Sequence, residues 1–269
     1  MSTSNSIAIA CAKSLEDFER DYMPPRSAYA LYNTSPKSED VAVKSYKLGL
    51  YKPSTLRRED LTACLELVEK TSGKHYRESK GGWNERRKRK EMELWDLRYL
   101  VVREVGVGNG EGEENRGDSE EVKEEMIVEE RGEGGEGEEE IKGFMSIMPT
   151  FEDGIKVVYL YEIHLMDELR GTGLGTHLMS LLTNIARAIP GVEKTMLTCY
   201  MANEAALKFY MKLGYEKDEY SPESKRLKGG KVLESDYVIL SKRVERTGEE
   251  VESKEEEKEV GKGKRKRGV

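Results

Sequence analysis

The chain has 269 residues with 45 basic and 52 acidic side chains, a net charge of −7, and equal shares of hydrophobic and charged residues at 36% each. That length suits one large domain or two small ones, and so low an apolar content implies that part of the chain does not pack. No run of 18 apolar residues occurs and residues 1–6 lack a basic start with an apolar core, so neither a membrane span nor a secretion signal is expected, and Ser2 argues against N-myristoylation. Cys11, Cys64 and Cys199 are odd in number and widely spaced, which points to a reducing compartment, and the three histidines fall in no metal-ligand pattern.

Taken in chain order, residues 1–45 carry Ser, Asn and Pro with short apolar islands at 7–10 and 29–32, and read as a partly ordered segment. The domain is expected over 46–243. A first helix is predicted over 56–71 from the stripe Leu61, Cys64, Leu65, Val68, with Cys64 as a small buried hydrophobe. A second, charged helix covers 84–94. Its Arg86-Arg87-Lys88-Arg89-Lys90 spreads around three sides, so a solvated face is favoured over a nucleosome or ribosome contact. A strand follows over 96–104. Residues 106–140 are mostly Gly and Glu, and 111–140 hold 15 acids against 3 bases, a net of −12 that leaves +5 for the rest. This is the composition of a disordered insertion. A hairpin partner at 141–148, a strand at 156–165 and a helix at 174–189 come next. Then follow a strand at 194–200, a helix at 204–213 capped by Asn203 and ended by Gly214, and a strand at 236–242. The order predicts an α/β fold, a mixed twisted sheet with helices on both faces. Residues 244–269 read as a charged disordered tail. Its Lys262-Gly263-Lys264-Arg265-Lys266-Arg267 is either a nuclear-import or nucleic-acid patch or a solubilising end.

Arg170-Gly171-Thr172-Gly173-Leu174-Gly175 lies between a predicted strand and the helical stripe Leu174, Leu178, Leu181, Leu182, Ile185, Ile189. Unpaired N–H groups at a helix start bind phosphate, and glycines permit close approach. By itself this turn is equally a tight connection. Downstream stands Asn203-Glu204-Ala205-Ala206-Leu207-Lys208-Phe209-Tyr210-Met211-Lys212-Leu213-Gly214-Tyr215. The two motifs in this order and spacing resemble the GCN5-related N-acetyltransferases (GNAT), which use acetyl-coenzyme A and need no metal. The resemblance implies that Arg170, Gly171, Thr172, Gly173, Leu174, Gly175 and Thr176 hold the pyrophosphate, with Asn203 on the helix flanking the pantetheine arm. Residues 75–92, Tyr159-Leu160-Tyr161-Glu162, Met196-Leu197-Thr198, Ser221-Pro222 and Tyr237-Val238-Ile239-Leu240-Ser241 look like the D-type N-terminal acetyltransferases. That branch acetylates the α-amine of Ser-Gly-Arg-Gly histone tails, notably histone H4, which implies work in nucleus and cytoplasm. Tyr76, Glu152, Tyr161, Thr198 and Tyr237 match its peptide-contacting positions. Where the branch has Trp-Gly-Trp, this chain has Gly81-Gly82-Trp83, so one aromatic wall is missing or supplied from elsewhere. Thr150 stands where the branch has Asp.

Acetyl transfer requires the amine, with a free pKa near ~8, to lose a proton, and the departing thiolate to be stabilised. Glu162 is the candidate base, acting through water; its alternative is a solvent-facing sheet carboxylate, disfavoured by Leu160 and His164 on its strand face. Tyr210 is either the acid for the thiolate or a core side chain beside Phe209. By strict alternation Tyr161 and Glu162 point apart, so their joint use requires a β-bulge. The same splay would free backbone groups around Ile163, His164 and Leu165 to pair with the pantetheine. Two other functions stay open: a GNAT acting on lysine side chains or small amines, and a non-catalytic chromatin-binding module.

Overall fold

The computed structural model describes residues 5–34, 43–105, 140–223, 225–226 and 232–245. The expected acidic insertion, apart from Glu140, and the expected tail beyond Glu245 lie outside them.

The first elements are α1 (Ser6–Ala12), α2 (Leu15–Tyr22), α3 (Arg26–Tyr29), β1 (Leu31–Asn33) and β2 (Ser45–Tyr51). Then come α4 (Arg58–Glu78), α5 (Glu85–Met92), β3 (Arg98–Glu104), β4 (Ile141–Glu152) and β5 (Ile155–Leu165). A 3₁₀ turn (Asp167–Leu169) leads to α6 (Leu174–Ala188), β6 (Lys194–Tyr200), α7 (Glu204–Lys212), β7 (Glu216–Lys217), β8 (Lys225–Arg226), β9 (Val232–Leu233) and β10 (Tyr237–Arg243). Among the described residues, eight strands form one sheet in the order β1-β2-β3-β4-β5-β6-β10-β7. All pairs are antiparallel except β5 with β6, which makes the sheet mixed as expected. Asp153 and Gly154, both at positive φ, close the β4–β5 hairpin, the backbone a two-residue turn demands.

Strand alternation sends the buried side chains to two clusters on opposite faces. In β3, Leu100 and Val102 join α1, α2 and α6, whereas Tyr99 and Val101 join α4 and α5. Helices therefore cover both faces. The N-terminal segment is a large part of the first cluster: Ile7, Ala10, Phe18, Tyr22 and Tyr29 are buried in it. Arg98 ties that segment down. Its fully buried guanidinium donates to the carbonyls of Cys11 (2.8 Å) and Lys13 (3.2 Å) and lies over the Phe18 ring.

Two features depart from the sequence reading. The first is β2, where Tyr46, Leu48 and Leu50 alternate toward the core. The second is the length of α4, which runs seven residues beyond the expected end at Thr71 because Gly73 is buried in the packing rather than ending the helix. That added stretch brings Ser72, His75 and Tyr76 into the site.

Candidate active site

The glycine-rich stretch is a turn that no side chain could take over. Gly171 and Gly173 have φ of 71° and 94°, and Gly173, the N-cap of α6, has no side chain to cap the N–H groups that follow, of which Leu174's has a long contact of 3.4 Å to Thr172 Oγ1. Tyr32 from β1 steadies the loop, its hydroxyl donating to the Thr172 carbonyl at 2.7 Å. A Cβ on Gly173 would stand 2.9 Å from that hydroxyl. Sequence reasoning missed Tyr32, which lies 140 residues away in the chain.

The expected bulge is present in β5. Ser146 faces Glu162 and the next residue, Ile147, faces Leu160, so Tyr161 is the extra residue. The parity of the strand flips there. Val158 and Leu160 point to the α6 face, then Ile163 and Leu165 do, leaving Tyr161, Glu162 and His164 together on the other side. This corrects the expectation that Leu160 shares a face with Glu162: Leu160 is in the α6 core. The parallel ladder between β5 and β6 ends at Leu160–Leu197, and beyond it the strands part.

Glu162 is buried and held by three donors. Lys88 Nζ lies 2.5 Å from Oε1, the Tyr76 hydroxyl donates to Oε1 at 3.1 Å, and His164 Nε2 lies 2.5 Å from Oε2. Burial raises the carboxyl's proton affinity, but Lys88 and His164 more than reverse this and hold it well below the usual carboxylate range. Lys88, equally buried, is desolvated, yet Glu162, Tyr76 and Glu91 raise its pKa above that of a free lysine. Here the solvated-face reading of residues 86–90 is corrected for one position: Lys88 turns inward, beside Met92 one helical turn on. The 88/92 spacing was the available signal, hidden among charges. Tyr76 packs edge-on between Trp83 (5.3 Å) and Tyr200 (5.1 Å), while Gly81 is exposed.

Tyr210 is fixed by the end of its helix. Gly214, at φ 83°, donates to Met211 and Tyr215 donates back to Tyr210, a Schellman closure with the Tyr210 and Tyr215 rings in contact. At the other end Asn203 caps the helix through Ala206 N–H at 3.2 Å. Burial raises the Tyr210 hydroxyl, so it stays protonated.

Two cavities meet where β5 and β6 part. One, about 880 Å³, is lined by Ile163, His164, Leu165, Arg170, Gly171, Gly173, Gly175, Thr176 and Asn203. The other, about 550 Å³, is lined by Tyr76, Glu152, Tyr161, Glu162 and Thr198. Ile163, His164, Asn203, Ala206 and Tyr210 belong to both walls. Three predicted residues lie elsewhere. Leu174 is fully buried in the α6 core, and Thr172 turns its hydroxyl to the Leu169 carbonyl. Tyr237 lines an adjoining groove that shares Tyr200 with the second cavity. Thr150 reaches neither cavity. Among the described residues, no cluster of His, Cys, Asp and Glu has the arrangement of a metal site, and no helix is long and apolar enough to cross a membrane.

Residues 90–215 match the family model described as the acetyltransferase (GNAT) family. Solved structures similar to this chain include NAA60 of Arabidopsis thaliana in complex with a bisubstrate analogue, at 10% identity over 74% of this chain and 100% of that one, TM-score 0.44. Another is Arabidopsis thaliana Naa50 with the bisubstrate analogue CoA-Ac-MVNAL, at 13% identity over 72% and 97%, TM-score 0.40. A third is spermidine N-acetyltransferase of Vibrio cholerae with CoA and spermine, at 14% identity over 73% and 95%, TM-score 0.42.

Proposed function

We propose, from the match of residues 90–215 to the acetyltransferase (GNAT) family, that the chain uses acetyl-CoA as acyl donor and acetylates the free α-amine of Ser-Gly-Arg-Gly-type histone tails, histone H4 among them. The observation that carries the reading is the junction of the two cavities at Tyr210 and His164, with a glycine turn on one side and a tyrosine-walled carboxylate on the other. The pyrophosphate sits on the free N–H groups at the start of α6, and the pantetheine pairs with the unladdered edge of β5. Glu162 presents negative charge to the α-ammonium. Once neutral, the amine nitrogen attacks the thioester carbonyl, an N–C bond forms and the C–S bond breaks. Tyr210 protonates the leaving sulfur and is reprotonated by the second amine proton, so amide, free thiol and one released proton account for all atoms.

The choice of a peptide N-terminus over a lysine side chain is supported by the resemblance around Tyr76, Tyr161 and Thr198 and by the ring-lined wall beside Glu162. Glu152, on the same cavity wall, carries a carboxylate suited to the arginine at the third position of such a tail. Histone substrates place the activity in nucleus and cytoplasm. The test is incubation with acetyl-CoA and a panel of tail peptides, read by mass spectrometry. Ser-Gly-Arg-Gly peptides with a free amine should be acetylated once, at that amine. Equal acetylation of Met-Asp peptides, or of tails whose α-amine is blocked, would overturn the assignment.

A further inference from the structure

Glu162 is so firmly held as a carboxylate that it is a poor final resting place for the amine's proton. Its neighbour is better placed. His164 Nε2 faces Glu162 Oε2 at 2.5 Å, which requires a proton on Nε2, because a carboxylate only accepts. Its Nδ1 faces Thr71 Oγ1, also at 2.5 Å, and Thr71 Oγ1 lies 2.8 Å from the Leu67 carbonyl. The threonine hydroxyl has one hydrogen and two acceptors within reach. When it points at Nδ1 the ring is neutral; when it points at Leu67 the ring can carry a second proton and donate to the hydroxyl oxygen. No heavy atom need move between these states.

We propose that His164, held between Glu162 and Thr71, is the group that takes up the proton released by the acceptor amine. The inference rests on the acetyl-transfer reading above. Thr71 and His164 line the donor cavity, and His164 also lines the acceptor cavity. The path therefore starts where the amine and thioester meet. The ammonium passes one proton, through solvent in the cavity, to Thr71 Oγ1, while the threonine's own proton moves to His164 Nδ1. The imidazolium so formed lies against the Glu162 carboxylate, as in a carboxylate–histidine pair of a hydrolase. Lys88 keeps that carboxylate charged. After the products leave, the proton returns to solvent by the reverse path.

The other titratable groups around the pair are Tyr76 and His75 on α4, Lys88 and Glu91 on α5, Tyr99 on β3, Tyr200 on β6 and Tyr210 on α7. Burial keeps these tyrosines protonated, and Lys88 is paired with both Glu91 and Glu162. His75 lines the donor cavity with its Nδ1 buried and without a hydrogen-bond partner among the described residues.

The test compares full-length wild type, His164→Gln and Thr71→Val. Gln can still present an amide N–H to Glu162 near the Nε2 position but stores no proton. In wild type, kcat at saturating acetyl-CoA and peptide should fall toward acid pH. H164Q should lower kcat by about 100-fold, flatten that limb and leave acetyl-CoA affinity within a few-fold. An unchanged profile in H164Q would overturn the proposal. Imidazole nitrogen shifts from histidine-labelled protein without substrate give a second reading, with H164Q assigning the signal. His164 should carry its proton on Nε2 alone at alkaline pH, and T71V should abolish the Nδ1 hydrogen-bond shift. A ring doubly protonated throughout, or bare at Nε2, would refute the relay. If wild type acetylates no tail peptide, the substrate reading fails, and the nitrogen shifts still decide the relay.

Discussion

Lys88 is the residue that most changes the view of this site. In the sequence it is one cation among five, set apart only by its spacing from Met92; in the fold it pairs with the buried Glu162 carboxylate. The consequence has a sign. Glu162 binds its proton less tightly than a free carboxyl because of Lys88, so it is ionised throughout the neutral range and protonates only as pH falls far below it. Lys88→Met removes the largest of those supports and leaves desolvation, which raises the carboxyl, opposed by His164. The variant's pH–rate profile should lose activity on the acid side at distinctly higher pH than wild type, with alkaline activity retained in part. Identical acid limbs would mean that the ion pair does not govern the charge of Glu162. Glu162→Gln should cut turnover by roughly 10²–10⁴-fold while calorimetric acetyl-CoA affinity stays close to wild type. Near-normal turnover would remove Glu162 from the chemistry.

At the scale of elements, the helix–turn signals were the most legible part of the chain. The stripe of α6, the Asn203 cap and the Gly214 stop each announce themselves locally, because capping and periodicity involve residues within a few positions of one another. Contacts across the chain do not. Tyr32 reaches the Thr172 carbonyl from β1, and no local pattern could reveal that pairing. Strand β2 carries the alternation Tyr46, Leu48, Leu50, which is short and directly follows a polar stretch. Gly173→Val tests the turn. A β-branched residue at φ 94°, with its Cβ against the Tyr32 hydroxyl, must distort the loop whose N–H groups face the donor cavity. Acetyl-CoA dissociation constants should rise at least tenfold in calorimetry. Tyr32→Phe should raise them less, by a few-fold, without changing turnover at saturation. A Tyr32→Phe variant with unchanged affinity would show that the hydroxyl does not position the loop.

For the whole molecule, two polar-looking segments should behave in opposite ways. Residues 106–139 join the adjacent antiparallel strands β3 and β4, whose ends lie side by side, and their composition offers little to a core. Replacing them with a short Gly-Ser turn should shift the melting temperature by only a few degrees; a fall beyond about ten degrees would show that the segment packs. Removing residues 1–30 should abolish cooperative unfolding in a thermal scan, since it uncovers one face of the sheet and leaves the buried Arg98 without the Cys11 and Lys13 carbonyls. A truncated chain that still melts cooperatively near the wild-type temperature would contradict this. The parting of β5 from β6 has a consequence at this scale as well. Backbone left unladdered on the rim of a sheet invites other chains to stack on it and aggregate. Here the unladdered length of β5 beyond Leu160 lies inside the sheet, between β4 and β6, rather than on its rim. The protein thus keeps unpaired strand backbone where its own copies do not reach it.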